Sequence, residues 1–389
     1  MSPLEQLTAR CRELGVEVLG VAPAPHSDGW LSRHAERLKA WVDEGAHAEL
    51  DWMTSQLDKR CDPQLLLPGA RSALILWLGH RFEPPERPPQ LTGRVAAYAW
   101  GRDYHNILRR VLRQLSKLAE SLDPEARAHG SVDTSPVLER AFAERAHVGW
   151  IGRSTMLIHP RRGTYGSLAV FLTTLELPSA PEAHPERCGT CRDCFKVCPT
   201  GALSERGLDA RRCISYWTIE HRGVIPRALR PMIGDWVFGC DLCQEVCPWN
   251  RRAPYEGEAA RALWEPRADR AWPDLCRWLE MSDEALNESL LGSPLRRAFP
   301  AGLKRNALIV IANQGAYEAI LLVERQLDHP DLGVKTAALW ALVTLSLSAD
   351  QAPERRALLQ ESLRVRLGEP ALEAPLREEL LWGLGALSG

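Results

Sequence analysis

The sequence lacks the features that would place it among membrane, exported or nucleotide-binding proteins. No stretch reaches the ~18 consecutive apolar residues of a membrane-spanning helix, and the first residues contain neither an apolar leader nor a twin-arginine pair. Neither the Gly-x-Gly-x-x-Gly of dinucleotide-binding folds nor a Walker phosphate loop is present. With 48 Lys plus Arg against 50 Asp plus Glu, the chain has no general basic excess. We therefore expect a cytoplasmic protein with no membrane partner, which would contact nucleic acid only through local patches.

Composition and periodicity predict a folded protein of two or three domains. Apolar residues make up 45% and charged residues 25% of the 389 positions, which are ordinary values. In the first 177 residues, short apolar runs predict strands over 72–79 and 168–174. Apolar residues at helical spacing, with arginines on the opposite side, predict a helix over 104–122. This part should form a mixed α/β domain.

The last third of the chain is different in character. Of the 89 residues from 301 to 389, 34 are Leu or Ala, and no strand-like alternation interrupts them. Segment 303–308 aligns with 334–339, and segment 334–345 aligns with 376–387. This repetition predicts stacked helix pairs of the HEAT type. An ordinary bundle of Leu- and Ala-rich helices is the alternative.

Eight of the eleven cysteines lie within about 60 residues of one another. They are Cys188, Cys191, Cys194, Cys198, Cys213, Cys240, Cys243 and Cys247. In a reducing cytosol such a cluster indicates metal binding rather than disulfides. The pattern Cys-x2-Cys-x2-Cys-x3-Cys-Pro and its shorter second copy are typical of bacterial ferredoxins. The isolated Cys11, Cys61 and Cys276 are expected to be small buried hydrophobes.

The cysteine count predicts two [4Fe–4S] clusters with interleaved ligands. In two-cluster ferredoxins, the cysteine that precedes the proline binds the other cluster. The first cluster would then be bound by Cys188, Cys191, Cys194 and Cys247, and the second by Cys198, Cys213, Cys240 and Cys243. Two four-thiolate zinc sites are the alternative, because they also need eight cysteines. From the residues alone, the chain is an iron–sulfur redox protein with an α/β domain and a helical repeat.

Six further motifs distinguish this chain from ferredoxins in general. They are LLPGARS at 66–72, YAWGRDYH at 98–105, VDTSPVLER at 132–140, GWIGRST at 149–155, CISYWTIEHRG at 213–223 and GCDLCQEVCPWN at 239–250. The last two, around the later cluster cysteines, are the most specific. Together the motifs resemble the epoxyqueuosine reductases, cobalamin-dependent enzymes of tRNA queuosine biosynthesis, over nearly the whole chain.

This resemblance implies an α+β multidomain protein. It implies a cobalamin-binding α/β domain over 1–177, a bacterial ferredoxin-like 2[4Fe–4S] domain over 178–260, and a tRNA-binding HEAT-like domain over 261–389. The implied reaction converts epoxyqueuosine, at the tRNA wobble position, into queuosine by reductive deoxygenation. Cobalamin would cycle between its cob(II)alamin and cob(I)alamin forms and receive electrons through the clusters from an unidentified low-potential donor. The implied protein is a monomer whose partner is tRNA carrying epoxyqueuosine in the anticodon.

The resemblance also implies roles for individual residues. Asp133 matches the general acid, which burial against the corrin would keep protonated. The alternative is local, because Ser135-Pro136 looks like a helix N-cap that Asp133 could assist. The implied cofactor contacts are Arg60, Tyr98, Asp133, Leu157, Phe171, Ser215 and Asp241. The implied tRNA contacts are Arg140, Arg222, Lys304, Arg305 and Lys335, of which the last three occupy equivalent repeat positions and would form a basic stripe.

Two other functions compete with this interpretation. A reductive dehalogenase also uses cobalamin and two [4Fe–4S] clusters, but it is typically exported with a twin-arginine signal. A non-catalytic iron–sulfur electron carrier fused to a HEAT scaffold would leave the α/β domain and Asp133 without a role. The cobalamin content of the purified protein would distinguish the enzyme from the carrier.

Overall fold

The structure is a computed structural model that describes residues 1–24, 29–180, 182–348, 353–369 and 372–388. The chain divides into two compact units, each assembled from three segments. The first unit comprises Met1–Pro84, Ala97–Arg211 and Asp241–Pro266, and the second comprises Pro85–Ala96, Arg212–Cys240 and Arg267–Gly389. Within the predicted helical third, residues 349–352, 370–371 and 389 lie outside the described residues.

Strands and helices are numbered in chain order over the described residues. Strands β1 to β10 are Glu17–Pro23, Ser72–Gly79, Arg94–Val95, Ala128–Ser131, Trp150–Ile151, Leu157–Ile158, Gly166–Thr173, Leu203–Ser204, Gly207–Leu208 and Trp236–Phe238. Helices α1 to α18 are Pro3–Glu13, Trp30–Asp43, Asp51–Thr54, Leu57–Cys61, Tyr104–Leu122, Glu139–Arg145, Asp193–Val197, Leu242–Glu245, Pro248–Arg251, Glu258–Trp264, Ala268–Ala271, Leu275–Glu280, Asp283–Ser289, Phe299–Asn313, Ile320–Arg325, Leu332–Ser348, Pro353–Leu367 and Ala374–Ser388.

The first unit contains a four-stranded antiparallel sheet in the order β1–β2–β7–β4. β2 is buried along its whole length, which explains why its sequence is a continuous apolar run rather than an alternating one. The predicted strand over 72–79 and the predicted helix over 104–122 are confirmed at both ends. The second predicted strand is also confirmed, although it begins earlier, at Gly166, and ends at Thr173.

Helices cover both faces of this sheet. Leu74, Leu76 and Leu78 of β2 pack in one core with α1 and α5. Ala73, Ile75 and Trp77, which point to the opposite face, pack in a second core with α2 and α6. Successive strand residues point to opposite faces, so one apolar strand supplies both cores. This arrangement confirms the predicted mixed α/β character of the first unit.

The second unit is mainly helical in the part that the structure describes. β3 and β10 form a short parallel pair. The described part of the C-terminal third consists of helices and turns. α14 packs against α16, and α16 packs against α18. The segments that repeat in the sequence lie on these three helices. No described helix is long and apolar enough to cross a membrane.

A buried carboxylate orients the last helix of the second unit. Glu379 on α18 lies 3.1 Å from Arg227 Nε and 3.1 Å from Arg230 Nη1. The two guanidinium groups lie over the rings of Trp382 and Trp340, respectively. Removing the cations would leave a buried charge without a partner, which is strongly destabilising. The ion pairs therefore determine how α18 meets the segment around 227–230.

Gly166 provides a test of the packing between β7 and β2. A Cβ atom at this position would overlap the ring of Trp77, which is only 2% exposed. We expect Gly166→Ala to lower the free energy of unfolding by about 1–3 kcal/mol, measured by urea unfolding. Gly385→Ala on α18 is the control: its Cβ would meet nothing within 4 Å, and alanine favours a helix by about 0.5–1 kcal/mol. Unchanged stability of Gly166→Ala would contradict this packing.

Candidate functional site

Asp133 lies in the loop between β4 and α6, in a strained backbone conformation. Its φ is 55°, in the left-handed region that residues other than glycine rarely adopt. Its amide N–H donates to Glu139 Oε1 at 2.8 Å, and the Ser131 hydroxyl donates to the same oxygen at 2.8 Å. Glu139 is the first residue of α6. These two hydrogen bonds hold the loop in its strained form.

The Asp133 carboxylate faces the start of α5. Its Oδ2 accepts a hydrogen bond from the Tyr104 hydroxyl at 2.9 Å and lies 3.6 Å from His105 Nε2. Asp103, the N-cap of α5, accepts the His105 backbone N–H at 2.9 Å and lies 2.8 Å from His105 Nδ1. His105 is thus held between two carboxylates. The Asp133 side chain remains 54% exposed, so it is open to a reactant.

The surroundings favour a positive charge on His105. Burial lowers the pKa of His105, but the hydrogen bonds and charges of Asp103 and Asp133 outweigh burial and raise it to about 9. Burial, together with the charge of Asp133, raises the pKa of Glu139 to about 7 and that of Tyr104 well above its ordinary value. At neutral pH an imidazolium and a neutral phenol therefore stand beside Asp133.

Arg60 on α4 places a buried cation near these carboxylates. Its side chain donates from Nη2 to the Trp52 carbonyl at 2.9 Å and lies over the Trp52 ring. Burial lowers the pKa of Arg60, and the charges of Asp133 and Glu139 oppose that effect. Among the described residues, its buried Nε has no hydrogen-bond partner. Leaving such a donor unsatisfied costs about 1–3 kcal/mol, so a ligand acceptor would be stabilised here.

The alternative role of Asp133 as support for a helix cap at Ser135 is wrong. α6 begins at Glu139, its N-cap is Leu138, and no side chain caps it. The Ser135 hydroxyl instead lies 3.0 Å from His129 Nε2. Tertiary contacts with α5, rather than a local helix end, thus hold the Asp133 side chain.

The four cysteines of the predicted first cluster line one pocket in the first unit. They are Cys188, Cys191, Cys194 and Cys247. Cys243, a predicted ligand of the second cluster, lines the same pocket, whose other walls include Arg153 and Trp249. Burial and the neighbouring thiols raise the pKa of Cys194 to about 11. The fully buried Trp150 directs its indole N–H at Cys188 Sγ, 3.4 Å away. Four thiols with an N–H donor aimed at one sulfur form a donor set that suits a [4Fe–4S] cluster.

The other predicted ligands belong to both units. Cys198 and Cys243 are in the first unit, and Cys213 and Cys240 are in the second. The Ala202 N–H donates to Cys198 Sγ at 3.3 Å. Over the described residues, no three His, Cys, Asp or Glu side chains converge closely enough to hold a single metal ion.

Among the predicted cofactor contacts, Phe171 is not available. Its side chain is fully buried in the core between the sheet and α5. Its backbone pairs with Leu74 on one side and Gly130 on the other. Since neither part is open to a ligand, the prediction for Phe171 is wrong. Its position in the middle of β7 is the reason.

The remaining predicted cofactor contacts lie in different environments. Tyr98 packs edge-on against Tyr104, with ring centroids 6.1 Å apart, so it belongs to the surroundings of Asp133. Leu157 is almost fully buried. The Asp241 carboxylate is also buried and accepts the Ala97 N–H at 2.7 Å. Ser215 belongs to the second unit. The roles of these four residues stay predictions.

The predicted basic stripe of the C-terminal third does not form as expected. Arg305 is 2% exposed and donates to three backbone carbonyls in segment 217–223. Lys304 is 4% exposed and pairs with Asp283 at 2.8 Å. Because these donors are used inside the second unit, the prediction that they contact phosphates is wrong. Lys335 is half-buried, while Arg140 and Arg222 are exposed, and their proposed contacts with tRNA stay predictions.

Tyr104, His105 and Glu139 are not among the site residues predicted from the sequence. All three lie in motifs that carry the resemblance, at 98–105 and 132–140. The available signal was Asp103, a good N-cap residue, directly followed by an aromatic residue and an imidazole. Nothing local indicates that the β4–α6 loop approaches the start of α5.

Known proteins match the chain over both of these regions. The family model described as epoxyqueuosine reductase QueG, DUF1730, matches residues 60–134, and the 4Fe-4S double cluster binding domain matches residues 187–250. An epoxyqueuosine reductase of Gloeobacter violaceus is 40% identical over 313 residues, which cover 80% of this chain and 96% of the relative. That of Escherichia coli K12 is 35% identical over 366 residues, with 92% and 93% coverage. The chain belongs to the epoxyqueuosine reductase family.

The fold is shared with a solved member of the epoxyqueuosine reductase family. The crystal structure of an epoxyqueuosine reductase with an epoxyqueuosine-modified tRNA-Tyr stem loop is 27% identical, with a TM-score of 0.88 and 99% coverage of both chains. Within the present chain, the first family match runs from Arg60 past Asp133, and the second includes all eight clustered cysteines.

The charge on His105 can be measured directly. We expect His105 to titrate near pH 9 in an NMR titration of its ring resonances. Asp103→Asn keeps a good N-cap but removes one carboxylate, so it should lower this pKa toward the ordinary value of about 6.5. Because the folded-state pKa lies above the unfolded value, His105 contributes stability below about pH 6.5, and this contribution is lost as the pH rises through about 9.

His129 is the internal control for this titration. Burial lowers its pKa, and Asp103 does not contribute to that shift. Its resonances should therefore titrate identically in both proteins. A wild-type His105 pKa at or below 6.5 would contradict the two-carboxylate arrangement.

Proposed function

We propose that this protein reduces epoxyqueuosine to queuosine in tRNA. The observation that carries the proposal is the half-exposed Asp133 carboxylate held by Tyr104 and His105, within the segment that matches the epoxyqueuosine reductase family. Removing the epoxide oxygen to leave an alkene consumes two electrons and two protons and releases water. The site must therefore deliver protons to an oxygen, and the redox centres must deliver the electrons.

Asp133 is the group we propose as proton donor to the epoxide oxygen. Its carboxyl is accessible, and its orientation is determined by a hydrogen bond from Tyr104 and by the bond from its own amide to Glu139. The imidazolium of His105, 3.6 Å from Asp133 Oδ2, would supply the proton that Asp133 passes to the epoxide oxygen, because it is as carboxylates that Asp103 and Asp133 raise the pKa of His105. Proton transfer by a positioned side chain typically contributes about 10²–10⁴ in rate.

We propose that the first unit binds cobalamin beside Asp133. When bound, cobalamin supplies the nucleophilic redox chemistry that amino-acid side chains lack. Of the predicted contacts, Arg60 and Tyr98 are the two associated with the surroundings of Asp133. The unpaired, buried Nε–H of Arg60 fits an acceptor on such a ligand. Leu157, Ser215 and Asp241 are further proposed contacts.

We propose that electrons reach the site through two [4Fe–4S] clusters. Cys188, Cys191, Cys194 and Cys247 would bind one, and all four line the same pocket, together with Cys243 of the other proposed set. Cys198, Cys213, Cys240 and Cys243 would bind the other, an assignment that rests on their spacing. A low-potential donor outside this chain would supply the electrons.

The finer organisation is part of the same proposal. Three domains, over 1–177, 178–260 and 261–389, would act as a cytoplasmic monomer. The succession α14, α16 and α18, each packed on the next, supports a HEAT-like stack. Arg140, Arg222 and Lys335 are the proposed tRNA contacts among the residues named from the sequence.

Asp133→Asn tests the proton donor. Asparagine keeps the size of the side chain but cannot release a proton at neutral pH. With pre-reduced, cofactor-loaded enzyme, single-turnover conversion of epoxyqueuosine in tRNA, followed by nucleoside mass spectrometry, should slow by about 10²–10⁴. Asp123→Asn, an exposed aspartate just beyond the other end of α5, is the matched control and should keep the wild-type rate. A wild-type rate for Asp133→Asn would remove this residue from the mechanism.

The cluster assignment predicts a selective loss of iron. Cys247→Ser should leave about four irons per chain instead of eight after anaerobic reconstitution, because one cluster loses a ligand while the other keeps all four. Cys276→Ser, which alters a half-buried cysteine outside the motif, is the control and should keep eight. Zinc in place of iron in the anaerobically purified wild type would contradict the assignment.

A further inference from the structure

The outer face of α5 carries a row of exposed basic side chains. The α5 basic row consists of Arg109, Arg110, Arg113 and Lys117. Residues 109, 113 and 117 follow one another at four-residue spacing, which places them on one side of the helix, about 6 Å apart along its axis. The opposite side contains Leu108, Val111, Leu112 and Leu115, which are buried against the sheet. The core therefore orients the row toward solvent.

Over the part of the chain that the structure describes, three of these four basic side chains form no ion pair with a carboxylate, whereas Arg109 lies near Asp103 and helps to lower the pKa of that carboxyl. Many other arginines of the chain form ion pairs, such as Arg71 with Glu176 and Arg211 with Asp209. Within the described residues, no ion pair includes Arg110, Arg113 or Lys117. The single acidic residue of α5 is Glu120, which follows Lys117 on the same face. The row is thus a local positive patch on a chain whose net charge is −2.

The α5 basic row begins at the candidate site. The same helix starts with Tyr104 and His105, which contact Asp133. One turn later, Arg109 Nη2 lies 3.4 Å from the hydroxyl of Thr134, the residue after Asp133. From Arg109 to Lys117 the helix advances about 12 Å. If one unit of a polyanionic chain lies at Asp133, the negative charges of the neighbouring units are therefore within reach of the α5 basic row.

We infer that the α5 basic row binds phosphates of the tRNA next to the nucleoside that enters the Asp133 site. The inference rests on the proposed function, because it takes the reacting base to be part of an RNA chain. Exposed Arg and Lys side chains at regular spacing neutralise phosphates without reading sequence. An acidic redox protein is the other partner that such a patch attracts. RNA is favoured because the row starts beside the group that must meet the modified base.

The test is the salt dependence of tRNA binding. The triple variant Arg110→Gln, Arg113→Gln, Lys117→Gln removes three charges and leaves Arg109, which contacts the Asp133 loop, in place. If all three contact phosphates, the log–log slope of affinity against salt should fall by about 0.7 per contact, or roughly 2 in total. When the salt concentration rises from 50 to 200 mM, the loss of affinity for tRNA should therefore be about 18-fold smaller for the variant than for the wild type. The probe is tRNA carrying epoxyqueuosine, bound by the cofactor-loaded full-length chain.

A charge-matched control lies on the other face of the sheet. The control is the α2 variant Arg33→Gln, Arg37→Gln, Lys39→Gln. Like the test variant, it removes two arginines and one lysine, all from exposed positions. α2 packs in the core opposite to that of α5, so this variant should keep the wild-type slope. An equal drop in both variants would mean that net charge alone matters, and would overturn the inference.

Two further outcomes decide between partners and between proposals. An unchanged slope in the α5 variant overturns the inference, and slower cluster reduction by reduced flavodoxin in the same variant would point to a redox protein instead. A different result is that the α5 variant reduces the salt slope of tRNA binding while the wild type never converts epoxyqueuosine. That result would support phosphate binding by the α5 basic row and contradict the proposed reaction. If wild-type tRNA binding shows no salt dependence, the row has no phosphate partner.

Discussion

The imidazolium of His105, held between Asp103 and Asp133, is the interaction on which the candidate site depends. It joins a helix start to a loop from a different part of the chain, and its positive charge stabilises two carboxylates in close proximity. The same contact orients the half-exposed Asp133 carboxyl, while the hydrogen bonds to Glu139 hold the Asp133 loop in a backbone conformation that would otherwise be unfavourable. Strain and charge are thus stored at one point, where the proposed proton transfer takes place.

The sheet explains why these groups meet. β4 is the edge strand beside β7, and the chain leads from it directly into the Asp133 loop. α5 packs against the face of the sheet that carries Leu74, Leu76 and Leu78. The apolar side of α5 determines the rotation of the helix and therefore the direction in which Tyr104 and His105 project. An antiparallel sheet with buried strands is a rigid support, which suits a site that needs side chains positioned to within about half an ångström.

Basic residues in this protein serve three different purposes that residue type alone does not separate. Arg305 and Arg230 are buried and satisfy carbonyls or a carboxylate of the second unit. Arg60 is buried with one N–H left for a ligand. Arg110 and Arg113 of α5 are exposed and form no ion pair among the described residues. Only burial and hydrogen-bond partners distinguish a structural cation from one that is free to meet a phosphate.

Features that depend on local pattern could be predicted from the amino-acid sequence. The apolar run of β2, the periodicity of α5 and the cysteine spacing each identified an element or a donor set from neighbouring residues. Other features depend on residues that are far apart in the chain, and these are seen only in the folded protein. The pairing of Asp133 with His105 across 28 positions, the burial of Lys304 and Arg305 and the closure of Phe171 inside the sheet all belong to this class. The physical reason is that burial and charge pairing arise from packing between elements, and a basic residue on a helix has the same letter whether its face meets solvent or the core.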